Sequence, residues 1–448
     1  YHSPDRGFNP DEQKENNEDD LKKLISLYLK IRDFYYTEKY ITEYCENQYK
    51  DWKFVKEMWK KIQQLINEVK EKNSGRKGDI IIHLIDSARA MDVYERSADG
   101  KVKLSLFKEY EKNAVIFSEA YSTGPSTYES MIGTIKQKYS YDENVYENNN
   151  FMFDIDEFAF LKRIKKQNMP IRFYNSKDYY IMNKSDDIYM KEQLHMPEKL
   201  WSAACDMAVT DGPVFNFLYY PWELHFPMLC GYMRRKPQIK MFADVGLEDM
   251  SDFIEDQLQD CLKYVDCQFA YYKDFFSEDA MTVIMADHSQ PIYDKKRNDP
   301  FFMFYNDKDR VAHVTFIIIS NELKAGVNSR LFSMLDFNKV MEQAYFEKCI
   351  DIPEREIIEY QFYNVQNRRL RELAMKRGLM DYTEGIRCFV SKKYLYAKTA
   401  TGKQEVYDLK DIYSDISSTD EGKNFIKYVE ENYDTGFPDF WTVRNTVS

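Results

Sequence analysis

The sequence predicts an α/β protein: a mainly parallel sheet flanked by helices, with an N-terminal helical hairpin and a small C-terminal α+β subdomain. Two patterns carry this reading. Between residues 79 and 319, nearly continuous apolar runs alternate with helix-like stretches, as strands buried on both faces do with their crossover helices. After residue 351 the runs become short and alternating, which suits an antiparallel sheet with one solvated face. With 448 residues and 44% hydrophobic content, the chain can bury a sizeable core, and wholesale disorder is excluded.

Taken in order, residues 1–18 are polar and read as a flexible arm. Residues 19–74 read as the helical hairpin. Leu21, Leu24, Ile25, Tyr28 and Ile31 recur at three- and four-residue spacing, and Phe54, Met58, Trp59, Ile62, Leu65, Ile66 and Val69 do the same. This hairpin is expected to pack as an appendage, with oligomerisation through its helices the alternative. After the breaker Asn73-Ser74-Gly75, residues 75–350 form the α/β domain. Strands are expected at 79–85, 114–117, 171–174, 214–220, 282–285 and 314–319, with helices at 128–138, 158–167, 199–208 and 247–276. Residues 351–448 form the C-terminal subdomain, with strands at 357–363, 386–390, 394–397 and 404–407 and a helix at 367–377.

Charge and cysteine usage narrow the partners. Sixty-three Lys and Arg face 75 Asp and Glu, a net charge of −12, so the basic footprint of a nucleic-acid binder is absent. No run approaches the roughly 18–20 apolar residues of a membrane span. The seven cysteines are scattered without a CxxC pair, which argues against a zinc ribbon or a dense disulfide framework. A cytoplasmic location is expected from this usage and from the lack of a signal peptide; the alternative is an extracytoplasmic part of a longer membrane protein.

Chemistry is expected where the apolar strands end. Asp86 follows the first strand, within Leu84-Ile85-Asp86-Ser87-Ala88-Arg89. Thr123 lies in the small-residue turn Ser122-Thr123-Gly124-Pro125-Ser126-Thr127, where Ser122, Ser126 and Thr127 compete as helix caps. Asp287-His288 follows the strand at 282–285. Two carboxylates and an imidazole suit Zn²⁺ or Mn²⁺. A hydroxyl beside such an ion can ionise and act as a nucleophile. Each residue also has a plainer reading as a turn former or cap; their placement at three strand ends is what favours a site. Asp79 and His83 have the spacing of a metal pair by count. They lie within one strand, about 13 Å apart at ~3.3 Å per residue, so a single-metal site is expected.

The pattern resembles the sulfatase-like branch of the alkaline phosphatase superfamily, from about residue 78 to 411. Residues 79–89 look like that branch's first strand, its acidic ligand and the Arg that follows. Residues 117–127 look like its nucleophile segment, and Met281 to His288 like the strand ending in an Asp-His ligand pair. Tyr407-Asp408-Leu409, with Lys393-Tyr394 upstream, looks like its C-terminal signature.

The resemblance implies metal ligands Asp86, Thr123, Asp287 and His288, with Thr123 the nucleophile and His225 on the substrate side, contacting phosphoryl or protonating the leaving oxygen. Arg89 and His313 are expected to reach the substrate, whereas His83 and His195 are expected to be structural.

The departures choose the chemistry. Sulfatases carry a Cys or Ser that is oxidised to formylglycine, followed by an Arg; here the positions hold Thr123 and Thr127. A Thr cannot be so oxidised. The set resembles instead the phosphotransferase branch, which includes lipoteichoic-acid synthases and phosphoethanolamine transferases. The expected function is therefore a metal-dependent phosphoester hydrolase or phosphoalcohol transferase with a phosphothreonine-type intermediate. Its substrate would be an anionic phosphoester, glycan- or lipid-linked, and its cofactor one divalent ion, Mn²⁺ or Zn²⁺ rather than Mg²⁺ or Ca²⁺. The alternatives are a catalytically degenerate binding module of the same fold and a sulfuric-ester hydrolase.

Overall fold

A computed structural model of the chain describes residues 17–140, 152–177, 180–226, 228, 230–231, 251–290, 307–362 and 368–438. Nearly all of the expected N-terminal arm lies outside these residues.

The N-terminal region holds three helices where two were expected: α1 (Glu18–Lys30), α2 (Phe34–Glu46) and α3 (Trp52–Ser74). Capping explains the extra break. Arg32 takes a positive φ of 61°, and the Asp33 side chain accepts from Tyr36 N–H at 3.1 Å, starting a new helix one residue later. The apolar stripes still face inward, with Leu21, Leu24, Tyr28, Tyr40 and Trp59 buried against the rest of the core.

The central sheet contains β1 (Ile80–Ile85), β2 (Ala114–Phe117), β3 (Ile171–Asn175), β4 (Ile188–Glu192), β5 (Phe215–Tyr220), β6 (Met281–Met285), β7 (Phe316–Ile319) and β8 (Gly326–Asn328). Its order is β8-β2-β7-β6-β1-β5-β3-β4. Every neighbouring pair is parallel except the two made by β7, which runs antiparallel to β2 and β6. β1, β5 and β6 are buried at every residue, as their mainly apolar and aromatic character favours, with His83, Asn216 and Thr282 the polar members. The helix α4 (Thr127–Met131) follows the hydroxyl-rich turn and continues as a π-helical turn, Ile132–Lys136. Further on come α5 (Ala159–Lys166), α6 (Met196–Ala208) and α7 (Ser251–Tyr272). Among the described residues no helix is long and apolar enough to cross a membrane.

The C-terminal subdomain is an antiparallel meander, β9 (Ile358–Phe362), β10 (Ile386–Val390), β11 (Tyr394–Thr399), β12 (Gln404–Asp408) and β13 (Asp411–Asp415). The expected helix is α8 (Arg368–Lys376). The polar strand β13 and the closing helix α9 (Asp420–Asn432) were not foreseen. One face of the meander packs on α9 through Phe389, Tyr396, Val406, Phe425 and Val429. The other packs on Tyr121, Val311 and Leu331. Its edge meets the hydroxyl-rich turn directly, where Gln361 N–H donates to the Thr123 carbonyl at 2.9 Å.

Candidate active site

The order β6-β1-β5 places three parallel strands side by side, so their C-terminal ends open on one edge, the usual place for ligand sites in such sheets. β1 delivers Asp86, β6 delivers Asp287 and His288, and the loop after β5 delivers His225. Asp86, His225 and His288 each offer a ligand atom, and these atoms lie within 4.8 Å of one another. Asp86 Oδ1 lies 3.3 Å from His288 Nε2, and Asp287 Oδ2 lies 3.6 Å from the same nitrogen.

Each side chain is held by its surroundings. Ser87 adopts a left-handed conformation at φ 65°, rare for a residue with a Cβ. This turn directs its N–H to Asp287 Oδ1 at 3.2 Å and its hydroxyl to Asp86 Oδ1 at 3.0 Å, so one strained residue ties two carboxylates together. His288 N–H also donates to Asp287 Oδ1, at 2.9 Å. His288 Nδ1 lies 2.7 Å from the Ser289 carbonyl, and His225 Nδ1 lies 2.8 Å from the Phe226 carbonyl. A carbonyl can only accept, so both Nδ1 atoms carry protons and each Nε2 keeps a free lone pair, able to bind a cation or accept a proton.

Electrostatics favour a cation here. Burial and the neighbouring Asp86 charge push the Asp287 carboxyl up. Burial lowers the affinity of His288 for a proton, but the Asp287 and Asp86 carboxylates outweigh it and raise the imidazole. Asp287 Oδ2 is buried and accepts no hydrogen bond. Such an atom is costly unless a cation or donor meets it. The spacing also fits. Tetrahedral ligands with bonds of about 2.0–2.1 Å stand roughly 3.3 Å apart. The separations of 3.3 and 3.6 Å, with the ligand atoms of Asp86, His225 and His288 all within 4.8 Å, leave room for one cation among them.

Thr123 does not join this cluster, contrary to expectation both as nucleophile and as ligand. It is fully buried, and its hydroxyl donates to the Glu129 and Ser130 carbonyls, each at 3.3 Å. Its side chain fills the space that Gly133 leaves, where an added Cβ would lie 2.3 Å from Thr123 Oγ1. The hydroxyl that faces the cluster belongs to Thr127, the first residue of α4 and half-buried. Its Oγ1 lies 3.4 Å from Asp86 Oδ2 and 3.5 Å from His288 Nε2.

Arg89 and His313 do not meet their expected roles either. The Arg89 guanidinium binds both oxygens of Asp92 at 2.6 Å, and both partners are buried. His313 engages the Ser118 carbonyl through Nε2 at 2.9 Å and Asp309 through Nδ1 at 2.7 Å, while its ring stacks on Tyr121. His225 does reach the cluster, its ring edge-on to His288 at 5.8 Å between centroids. His83 is a core residue beside Tyr220 Oη, pushed down to about 3 by burial. His195 caps α6 with Glu198. The residue that sequence reasoning passed over entirely is Tyr219, whose hydroxyl donates to Asp86 Oδ2 at 2.8 Å.

Neither a family model nor a curated protein sequence matches the chain. Solved structures do. The phosphonate monoester hydrolase of Agrobacterium radiobacter superposes with a TM-score of 0.53 at 10% identity, covering 79% of this chain and 94% of that one. Phosphonate monoester hydrolase from Silicibacter pomeroyi gives 0.52 at 11%, covering 80% and 96%. A 2-O GAG sulfatase gives 0.54 at 14%, covering 80% and 91%. The chain has the fold of these phosphonate monoester hydrolases and of this sulfatase. In that fold Asp86, Thr127, Asp287 and His288 all stand at the C-terminal edge of the central sheet.

Proposed function

We propose that the chain is a metal-dependent phosphoester-cleaving enzyme, a phosphodiesterase or phosphoalcohol transferase, with Thr127 as nucleophile. The observation that carries this is the Thr127 hydroxyl, aimed between Asp86 and His288 at 3.4 and 3.5 Å. Asp86, Asp287 and His288, with His225 beside them, would hold one divalent cation, whose charge favours the ionised Thr127 hydroxyl and neutralises phosphoryl oxygens. Mixed carboxylate and imidazole donors suit Zn²⁺ or Mn²⁺.

Thr127 Oγ1 attacks phosphorus in line. The new O–P bond forms as the bond to the leaving alkoxide breaks, giving a phosphothreonine-type diester. His225 Nε2, the nitrogen left without a proton, is placed to take the Thr127 proton and pass it to the leaving oxygen. Water or a second alcohol then attacks the same phosphorus and releases Thr127. The fold likeness to phosphonate monoester hydrolases supports ester cleavage at phosphorus. The clustered Asp86, His225 and His288 speak against a degenerate binding module, and a Thr at both 123 and 127 speaks against the formylglycine route of sulfatases.

The test is hydrolysis of an aryl phosphodiester with Zn²⁺ or Mn²⁺, alongside an aryl sulfate, in the parent chain and in Thr127→Ala and Asp287→Ala. Expected is metal-dependent diester cleavage, lost in both variants, with an adduct mapped to Thr127 by peptide mass spectrometry. Undiminished cleavage by Thr127→Ala would sink the mechanism.

A further inference from the structure

Tyr219 sits where the residue pattern calls for an apolar side chain. β5 reads Phe-Asn-Phe-Leu-Tyr-Tyr, and its alternate residues Phe215, Phe217 and Tyr219 share one face of the sheet. Phe217 stacks on Phe173 at 4.9 Å along that face. Tyr219 is 3% exposed, so its hydroxyl is a buried polar atom that must find a partner. The partner is Asp86 Oδ2, at 2.8 Å.

The register explains the reach. Tyr219 stands opposite Leu84 in the β1–β5 ladder. Asp86 lies two residues beyond Leu84, so a side chain as long as tyrosine leans forward along the shared face to meet it. Its backbone is fixed as well: the buried Lys199 ammonium of α6 donates to the Tyr219 carbonyl at 2.5 Å and to Ser176 Oγ at 2.8 Å.

Asp86 depends on such support. The preceding residue is Ile85, so the first strand offers this carboxylate alone. Its two oxygens are held from opposite sides, Oδ1 by the Ser87 hydroxyl at 3.0 Å and Oδ2 by Tyr219 at 2.8 Å. With both bonds made, the carboxylate plane cannot rotate, and Oδ1 stays 3.3 Å from His288 Nε2.

We infer that Tyr219 is a positioning residue for cation binding: its hydroxyl fixes the Asp86 carboxylate so that Asp86 and His288 present a preformed pair of ligands. The inference rests on the metal-dependent reading of the site. Outer partners of this kind typically contribute 10–100-fold to metal affinity.

The experiment is calorimetric titration of Zn²⁺, and separately Mn²⁺, into the chelator-stripped full chain, its Tyr219→Phe variant and its Asp86→Ala variant. Tyr219→Phe keeps the ring and removes only the hydroxyl. Expected is binding by the parent, binding about 10–100-fold weaker in Tyr219→Phe, and loss of the site in Asp86→Ala. The metal-free melting temperature of Tyr219→Phe reports whether the fold is kept. A second measurement reads the same role through turnover: the variant should need more metal for half-maximal rate, yet approach the parent kcat at saturating metal. Equal affinities in parent and Tyr219→Phe would overturn the inference and leave the metal site standing. No binding by the parent would overturn both.

Discussion

The two threonines of the turn give a matched pair of valine variants with opposite expected outcomes. Thr123→Val keeps the side-chain shape, so the contact with Gly133 is preserved and only the hydroxyl is lost. That hydroxyl shares one proton between the Glu129 and Ser130 carbonyls, both at 3.3 Å. Ser130 O also accepts from the Thr134 hydroxyl at 3.2 Å, so it is not left bare. The loss is then about 0.5–1.5 kcal/mol. At roughly 2.1 cal/mol/K of unfolding entropy per residue, a chain of 448 residues loses about 1 °C of melting temperature per kcal/mol. Thr123→Val should therefore melt within about 2 °C of the parent and keep its turnover. Thr127→Val should be equally well folded, since Thr127 is half-buried and replaced by its isostere. Its turnover should fall by at least about 10³-fold, because the attacking atom is gone. Scanning calorimetry and initial rates on an aryl phosphodiester, at saturating metal, read both quantities. Loss of turnover in Thr123→Val with Thr127→Val still active would return the nucleophile to Thr123 and refute the geometric argument.

Three further outcomes follow from buried groups. Gly133→Ala would place a Cβ 2.3 Å from Thr123 Oγ1 and 2.4 Å from its Cγ2, so denaturation should show a loss of about 1–3 kcal/mol, and turnover should fall as the Thr127 turn shifts. Burial pushes the Asp33 carboxyl up to about 6, against hydrogen bonds from the Tyr36 N–H and the Tyr264 hydroxyl. A raised carboxyl favours the fold while protonated, so this contribution is complete below about pH 4 and is lost as pH rises through about 6, at most about 3 kcal/mol. Asp33→Asn, which keeps the helix cap, should stabilise the protein at pH 7.5 and not at pH 4; an equal effect at both would show that charge burial is not the cause. In the C-terminal meander, Arg387 binds both oxygens of Glu359 at 2.6 and 3.0 Å with 1% of its side chain exposed. Arg387→Met should cost about 3–5 kcal/mol by chemical denaturation, and Glu359→Gln added to it should recover part of that loss.

What the sequence disclosed and what it hid divide along a physical line. Asp86, Asp287 and His288 were legible because a carboxylate without a cationic partner is costly inside a strand buried on both faces, so these acids stand where their apolar runs stop. The six inner strands of the central sheet were legible for the same reason, whereas the largely exposed edge strands β4 and β8 were not foreseen. The third N-terminal helix was not, since a single side-chain cap at Asp33 decides it and the apolar stripe runs on across the break. β13 carries polar residues and leaves no stripe at all.

The hydroxyls illustrate the limit most sharply. The turn at residues 122–127 holds four of them, and composition cannot rank them. Their ranking depends on the phase at which α4 begins. With the helix starting at Thr127, the side chain at its first position projects to the sheet edge, whereas Thr123 folds back onto Gly133. The π-helical turn that follows sets where Gly133 stands, so residues beyond Thr127 decide which threonine reaches the acids. Tyr219 was hidden differently. A tyrosine in an aromatic strand looks like packing, and its ring does pack; only the register of β5 against β1 reveals that its last atom meets Asp86. His313 shows the converse. Its place at the start of a strand near the site suggested a substrate contact, but Asp309 four residues earlier and the Ser118 carbonyl take both nitrogens. Strand ends therefore locate a site of this kind, while side-chain direction, set by neighbours distant in sequence, assigns its roles.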